Sequence, residues 1–277
     1  MQNPCYGQLL LWYSKFSQMI LRRLGNKQAI AKDIIKYFPE HKAYIEPFFG
    51  AGGMFFNKPK VKYNIVNDID SEVYNLYTVI CNNKDRFLHE LEILPYHSDL
   101  LDFWKKNKEE DSVKKALRFI FLSNFVIPFT QDINRKVFCA TKELVLQNTD
   151  NTLKFIKETN IRFFNEDFRL FINRIMLRGT ERPLQDEATF FYCDPPYLGT
   201  ANNYSNSFTE QDSIDLFDCL QATGCKFAMS EFDNEFILNQ AKERGLNVII
   251  IGERKNLKNR RTEILITNYE KQKGLFD

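Results

Sequence analysis

The chain has 277 residues, 44% of them hydrophobic, and a formal net charge of +2. That apolar share supports a large globular core and sets aside a disordered chain. The near-balance of charge means that nucleic-acid binding must be argued from local patches. No apolar run reaches a membrane span; Leu9-Leu-Leu-Trp-Tyr13 is too short and no small-residue cleavage site follows it, so no membrane segment is expected. Cys5, Cys81, Cys139, Cys193, Cys219 and Cys225 are scattered, with no Cys-x-x-Cys, which predicts buried, reduced thiols in a cytoplasmic protein. His41, His89 and His97 lack metal-ligand spacing with any cysteine, so no metal site is expected.

In chain order, residues 1–18 carry no clear pattern. Gly25-Asn26 predicts a turn, and Ile30, Ile34, Ile35 and Phe38 have helical spacing over Ala29–Phe38. Lys27 falls near that helix start, where a cation opposes the helix dipole. An anion is therefore expected beside it, for which a ligand carboxylate would serve; a solvated surface lysine is the competing reading. Next, Tyr44-Ile-Glu-Pro-Phe-Phe-Gly-Ala-Gly-Gly53 reads as a short strand running into glycines, which let backbone approach a ligand closely. Tyr63-Asn-Ile-Val-Asn-Asp-Ile-Asp70 reads as a second strand ending in acids. Asp68 stands where Rossmann-like sheets hold a ribose diol, with a helix cap as the plainer alternative. Asp70 is assigned as the cap of a helix over Ser71–Cys81.

From about 82 to 160 no alternating strands are evident. Val113, Leu117, Ile120 and Phe121 form a helical stripe in Ser112–Phe125, and Lys105, Lys106, Lys108, Lys114, Lys115 and Arg118 cluster nearby. These cations face either solvent or phosphates. Residues Phe125–Phe138 read as a loop or hairpin. Strand patterns then resume at Asn160–Phe168, Ala188–Cys193, Cys225–Ser230, Leu246–Ile251 and Glu263–Tyr269, with helices over Thr209–Ala222 and Asn234–Arg244. Strands alternating with helices predict an α/β sheet covered on both faces. The run Arg254-Lys-Asn-Leu-Lys-Asn-Arg-Arg261 contains Arg254, Lys255, Lys258, Arg260 and Arg261 and no acid; as a loop it would suit a phosphate backbone.

The most informative stretch is Ala188-Thr-Phe-Phe-Tyr-Cys-Asp-Pro-Pro-Tyr197. A buried apolar strand is stopped by Pro195 and Pro196, which lack N–H donors. The rigid loop presents the Asp194 carboxylate, the Pro195 carbonyl and the Tyr197 ring at a strand's carboxyl end, where open α/β sheets place ligands. Two acceptors and a flat ring suit an exocyclic amine on a planar base.

Together these stretches resemble the Dam-type DNA adenine-N6 methyltransferases, from about Met19 to Tyr269. Gly25-Asn26-Lys27 resembles the family's amino-terminal cofactor motif. Glu46-Pro-Phe-Phe-Gly-Ala-Gly-Gly53 is similar to its glycine-rich motif, and Ile65–Asp70 to its ribose-binding strand end. Asp167-Phe168 resembles the acid-aromatic pair that contacts the cofactor adenine, and Asp194-Pro-Pro-Tyr197 the catalytic signature. Ser207-Phe-Thr209 and Ile264–Asn268 resemble later segments. Where the family carries Asn-Arg … Asn-Gly, this chain has Leu122–Phe129 and, later, Asn134-Arg135, so no recognition sequence is carried over.

The resemblance implies a Rossmann-like methyltransferase sheet with helices on both faces. Residues 19–81 and 160–277 would form the catalytic domain, and 82–159 an inserted, mainly helical target-recognition subdomain. It implies S-adenosylmethionine, held by Lys27, Glu46, Pro47, Phe49, Gly50, Ala51, Gly52, Asp68, Ile69, Asp167, Phe168 and Asp194. Catalysis would rest on Asp194, Pro195, Pro196 and Tyr197. Double-stranded DNA would be met by Arg135, Lys136, Arg254, Lys255, Lys258, Arg260 and Arg261, with the target base flipped out of the helix. A monomer is favoured, with room for a partner restriction endonuclease. An RNA adenine methyltransferase or a non-catalytic DNA-binding module would share much of this pattern. A dinucleotide oxidoreductase would use the glycines and Asp68 but gives no reason for Asp194-Pro-Pro-Tyr197.

Overall fold

The computed structural model describes residues 19–23, 25–127, 130–134, 138–177, 188–199, 208–255 and 260–270, without the side chains of 177, 254, 255 and 260. The chain divides into two compact units: a helical one from 1–26, 50–56 and 71–158, and a sheet-bearing one from 27–49, 57–70 and 159–277. Neither is one continuous stretch.

The sheet unit holds seven strands: β1 (Ala43–Glu46), β2 (Tyr63–Asn67), β3 (Ile161–Phe164), β4 (Thr189–Cys193), β5 (Lys226–Phe232), β6 (Asn247–Lys255) and β7 (Arg260–Thr267). Their order is β3-β2-β1-β4-β5-β7-β6. The first five are parallel; β7 lies antiparallel between β5 and β6. β1 and β4 are buried along their whole length, as expected of central parallel strands. The fold is therefore a mixed α/β sheet with the doubly wound order of the Rossmann-like class.

Alternation along the strands divides the core. Ile45, Phe191, Cys193, Phe227 and Met229 meet α7 (Phe168–Leu177), α8 (Glu210–Ala222) and α9 (Glu235–Glu243) on one face. On the other, Tyr44, Phe190 and Tyr192 pack with Phe38, whose ring lies 4.6 Å from that of Phe190. The amino-terminal helix is shorter than the apolar spacing predicts: a 3-10 turn (Lys27–Ile30) leads into α1 (Ala31–Ile35). Pro39 disfavours helical backbone at Phe38. The helices α8 and α9 begin at side-chain caps, Thr209 with a reciprocal Asp212 capping box and Asn234 bonding the Phe236 amide.

The helical unit contains α2 (Ser71–Asn82), α3 (Lys84–Glu92), α4 (Ser98–Lys106), α5 (Ser112–Ile120) and α6 (Phe138–Glu158). Asp70 immediately precedes α2. The α5 stripe is buried through Val113, Ala116, Leu117 and Ile120, and the chain continues as a π-turn over Phe121–Phe125. The Phe125–Phe138 connection has hairpin pairing where described, with a bridge between Val126 and Ile133. Arg118 corrects the expected basic cluster: it turns inward, bonding the carbonyls of Trp104 and Asn107 and lying 3.7 Å from Glu72. Lys106, Lys108 and Lys114 are exposed.

Of the thiols, Cys193 and Cys225 are buried, whereas Cys81 and Cys139 are exposed, contrary to the expectation of uniform burial; Cys5 lies outside the described residues. Among the described residues no helix is long and apolar enough to cross a membrane.

Candidate active site

The strand order reverses between β1 and β4, and their carboxyl ends lie side by side. Ligands of open α/β sheets bind at such a point. From β1 the chain runs into Glu46-Pro-Phe-Phe49, and from β4 into Asp194-Pro-Pro-Tyr197. Two motifs remote in sequence thus become neighbours.

Asp194 is 20% exposed, and its Oδ1 lies 2.6 Å from Lys27 Nζ. The anion expected beside Lys27 is therefore a residue of the chain itself. The reading of Lys27 as a solvated surface lysine is corrected: its side chain is only 3% exposed. A second acid, Glu263 on β7, has Oε1 3.6 Å from the same ammonium. Tyr197 donates its hydroxyl to that Oε1 atom. The Lys27 ammonium sits 4.3 Å from the Tyr197 ring centroid, and Phe232 packs edge-on against the ring at 4.6 Å. Tyr197 is thus a held, largely buried phenol. Burial, followed by the charges of Asp194 and Glu263, raises its pKa far above the ordinary value and keeps it protonated.

The loop beyond Tyr197 is tied to β5. Glu231 accepts the Leu198 amide at 3.2 Å and the Phe232 amide at 3.1 Å. Burial pushes the Glu231 carboxyl up to about 9. Glu46 is likewise raised well above the usual range, first by burial, against the stabilising hydroxyl of Tyr44. Burial thus favours the neutral form of both acids, opposed at Glu46 by the buried Lys58 ammonium and at Glu231 by that of Lys27. Sequence reading missed Glu231 and Glu263, since acids in apolar strands read as solvent-facing positions; only their place at strand ends flanking a catalytic loop could have drawn attention.

On the other side of β1 lie the candidate cofactor residues. Asn67, also missed, stitches three loops together. Its Nδ2 donates to the carbonyls of Pro47 (3.0 Å) and Glu166 (2.9 Å), its Oδ1 accepts the Glu166 amide (3.0 Å), and its carbonyl accepts the Phe49 amide (2.9 Å). Phe49 is buried with its ring edge-on to Phe163. Asp68 follows β2 directly, and its Oδ1 accepts the Asp70 amide at 2.9 Å. Ile69 is 64% exposed, an apolar side chain left open beside that acid.

β3 ends at Phe164, earlier than the predicted strand, because Asp167 turns the chain into α7. Its Oδ1 accepts the Arg169 amide at 2.9 Å, the bond of an amino-terminal cap. Arg169 also pairs with Asp167 Oδ2 at 3.1 Å and with Asp212 and Asp215, and its guanidinium lies 4.4 Å from the Phe168 ring centroid. Phe168 is buried against Phe48. Gly50, Ala51 and Gly52 belong to the helical unit. Gly50 and Gly52 have φ of 55° and 76°, the left-handed backbone that favours glycine, and the Ala51 carbonyl accepts the Tyr77 hydroxyl.

Of the basic candidates, Arg135, Lys136 and Lys258 lie outside the described residues, as does Ser207. The run 254–261 is not wholly a loop: Arg254 and Lys255 end β6 and Arg260 and Arg261 begin β7, paired across the hairpin. The start of β7 lies at the carboxyl edge of β5, where Phe232 pairs with Glu263, the edge that carries Asp194. Arg261 bonds the Gly199 carbonyl at 3.5 Å and lies 5.3 Å from the Phe232 ring.

Residues 24–263 match the family described as D12 class N6 adenine-specific DNA methyltransferase. The chain is 25% identical over 253 residues to a DNA adenine methylase of Vibrio cholerae, covering 85% of this chain and 81% of that one. It is 28% identical over 244 residues to a type II methyltransferase of Methanocaldococcus jannaschii, covering 75% and 78%. It is 25% identical over 228 residues to the DNA adenine methylase of Escherichia coli, covering 73% and 75%.

Proposed function

Because the chain belongs to the D12 class of N6 adenine-specific DNA methyltransferases, we propose that the Asp194–Tyr197 loop methylates the N6 amine of an adenine flipped out of duplex DNA, with S-adenosylmethionine as donor. The observation that carries this reading is the meeting of Asp194, Pro195 and Tyr197 at the carboxyl end of β4, beside β1, where the strand order reverses.

The residues suit such a cofactor. Asp68 supplies a carboxylate at the end of β2 for ribose hydroxyls, and the open Ile69 side chain supplies an apolar cover for a flat ring. Lys27, Glu46, Pro47, Phe49, Asp167, Phe168 and Asp194 complete the set in the sheet unit; Gly50, Ala51 and Gly52 continue the same stretch of chain. The bound cofactor supplies an electrophilic sulfonium methyl.

The chain's own task is to make a poor nucleophile a better one. The N6 lone pair of adenine is delocalised into the ring. Accepting one N–H at the Asp194 carboxylate and the other at the Pro195 carbonyl draws N6 toward a tetrahedral geometry, which strengthens as the new bond forms. Tyr197 offers its ring to the base. Orientation then does most of the remaining work; no group strong enough to deprotonate N6 beforehand is needed, because the surplus proton would leave N6 for solvent once the methyl is attached. The helical unit would take target recognition, with Arg135, Lys136 and the β6–β7 hairpin on the phosphates. The enzyme would act as a cytoplasmic monomer, and the type II relative supports a companion restriction endonuclease.

The test is expression in a host without adenine methylation, followed by sequencing that maps N6-methyladenine. Methylation confined to one short motif is the expected result. Unmodified DNA, or labelled methyl appearing in RNA when both are offered, would overturn the reading.

A further inference from the structure

We infer that Glu263 is a positioning residue for methyl transfer, one that holds the Tyr197 hydroxyl and the Lys27 ammonium in place for the incoming amine. This rests on the function proposed above and extends it to an acid outside the motif loops. Glu263 enters from the antiparallel strand β7 and is 1% exposed. A carboxylate withdrawn that far from water needs compensation. Its Oε1 is met by the Tyr197 hydroxyl and, at 3.6 Å, by Lys27 Nζ.

The position of Lys27 gives this arrangement its purpose. The ammonium lies 2.6 Å from Asp194 Oδ1 and 4.3 Å from the Tyr197 ring centroid. It is an N–H donor to the carboxylate that the N6 amine is to use, beside the ring on which the base is to lie. When the amine shares Asp194, the hold of that carboxylate on Lys27 weakens. Glu263 is the adjacent acceptor that keeps the ammonium paired once Asp194 is engaged. By holding the phenol hydroxyl with the same oxygen, it also keeps the Tyr197 ring from rotating as Lys27 moves. Glu263 touches neither base nor methyl, so it acts through Lys27 and Tyr197.

The test uses the full chain with duplex DNA carrying the mapped target, and reads single-turnover transfer of labelled methyl. Glu263→Gln removes the charge and keeps the shape. A lost bond to a charged group corresponds to roughly a ten- to hundredfold slower transfer, which is the expected result. KM for DNA and cofactor should change by less than about threefold. Glu263→Asp should recover part of the rate. The double variant Tyr197→Phe, Glu263→Ala should be no slower than Glu263→Ala alone, because Ala has already removed the acceptor of the Tyr197 hydroxyl. Transfer by Glu263→Gln at the wild-type rate, a loss carried wholly in KM, or additive losses in the double variant would each overturn the proposal. Wild-type protein run in parallel separates the levels. If it methylates adenine and Glu263→Gln matches it, only the role of Glu263 fails; if it methylates nothing, the function fails and this role with it.

Discussion

Tyr44 donates its hydroxyl to Oε2 of Glu46 across 2.9 Å, with both side chains buried on the central strand β1. Residues two apart on a strand share a face, so the pair forms as soon as the strand does. Tyr44→Phe leaves a buried acid without that donor, which should lower the free energy of unfolding by about 1–3 kcal/mol. Urea denaturation measures this directly; an unchanged midpoint would mean that Glu46 finds its partner elsewhere.

Glu231 should couple stability to pH. Its folded pKa of about 9 stands above the ordinary 4.5, so the folded chain holds the extra proton between those values and stability falls as pH rises through the window. One group contributes at most about 1.4 kcal/mol per pH unit. Lys58, lowered from 10.5 to about 7 by burial, acts in the opposite sense, adding stability as pH rises from about 7. Glu231→Gln keeps a carbonyl for the Leu198 and Phe232 amides but cannot ionise. Its melting temperature should therefore drop less than that of wild type between pH 5 and 9, by about the one-proton slope stated above. Parallel pH curves for the two proteins would contradict the assignment.

The catalytic loop gives a contrast between two substitutions. Asp194→Ala removes the acceptor that matters most as N6 becomes tetrahedral, so the loss should fall on the transfer step, with DNA still bound. From chemistry alone Tyr197→Phe would retain much of the activity, since the ring remains. The bond from its hydroxyl to Glu263 revises that expectation. Tyr197→Phe should lose activity but less than Tyr197→Ala, which also loses stacking worth about 1–3 kcal/mol. A fluorescent adenine analogue at the target reports flipping, and single-turnover transfer reports chemistry. Wild-type transfer by Asp194→Ala would refute the mechanism.

Cofactor binding should depend on Asp68. Charge-assisted hydrogen bonds contribute about 1.5–3 kcal/mol, so Asp68→Ala is expected to weaken S-adenosylmethionine binding roughly ten- to a hundredfold. Calorimetry is the check, and unchanged affinity in a folded variant removes the assignment.

DNA affinity should carry the imprint of the β6–β7 hairpin. Each phosphate contact adds about 0.9 to the slope of log affinity against log salt. Replacing Arg260 and Arg261 together by Ala should flatten the slope on specific and nonspecific duplexes alike. No change would assign Arg261 to its contacts with Gly199 and Phe232 alone.

What could be read from sequence follows the range of the signals. β4 was legible because Phe190, Phe191, Tyr192 and Cys193 run into Asp194-Pro195-Pro196, and α8 and α9 because Thr209 and Asn234 cap them locally. Lys27 was located near a helix start, but its partner Asp194 was not, since only the sheet brings the two together. The same holds for Glu231, Glu263 and Asn67, whose roles depend on strand neighbours that no local pattern specifies. The antiparallel placement of β7 between β5 and β6 is equally a matter of long-range pairing.

The pairing of Ala43 with Thr189 has a consequence for biosynthesis. Joining β1 to β4 closes a long loop before the contact repays its entropy. During translation β1 emerges early, but its partner on that side follows only after the whole helical unit has been made. For that interval the nascent chain carries an open strand edge. Such an edge is prone to association, so the yield of folded enzyme should be set by how well the cell shields the growing chain.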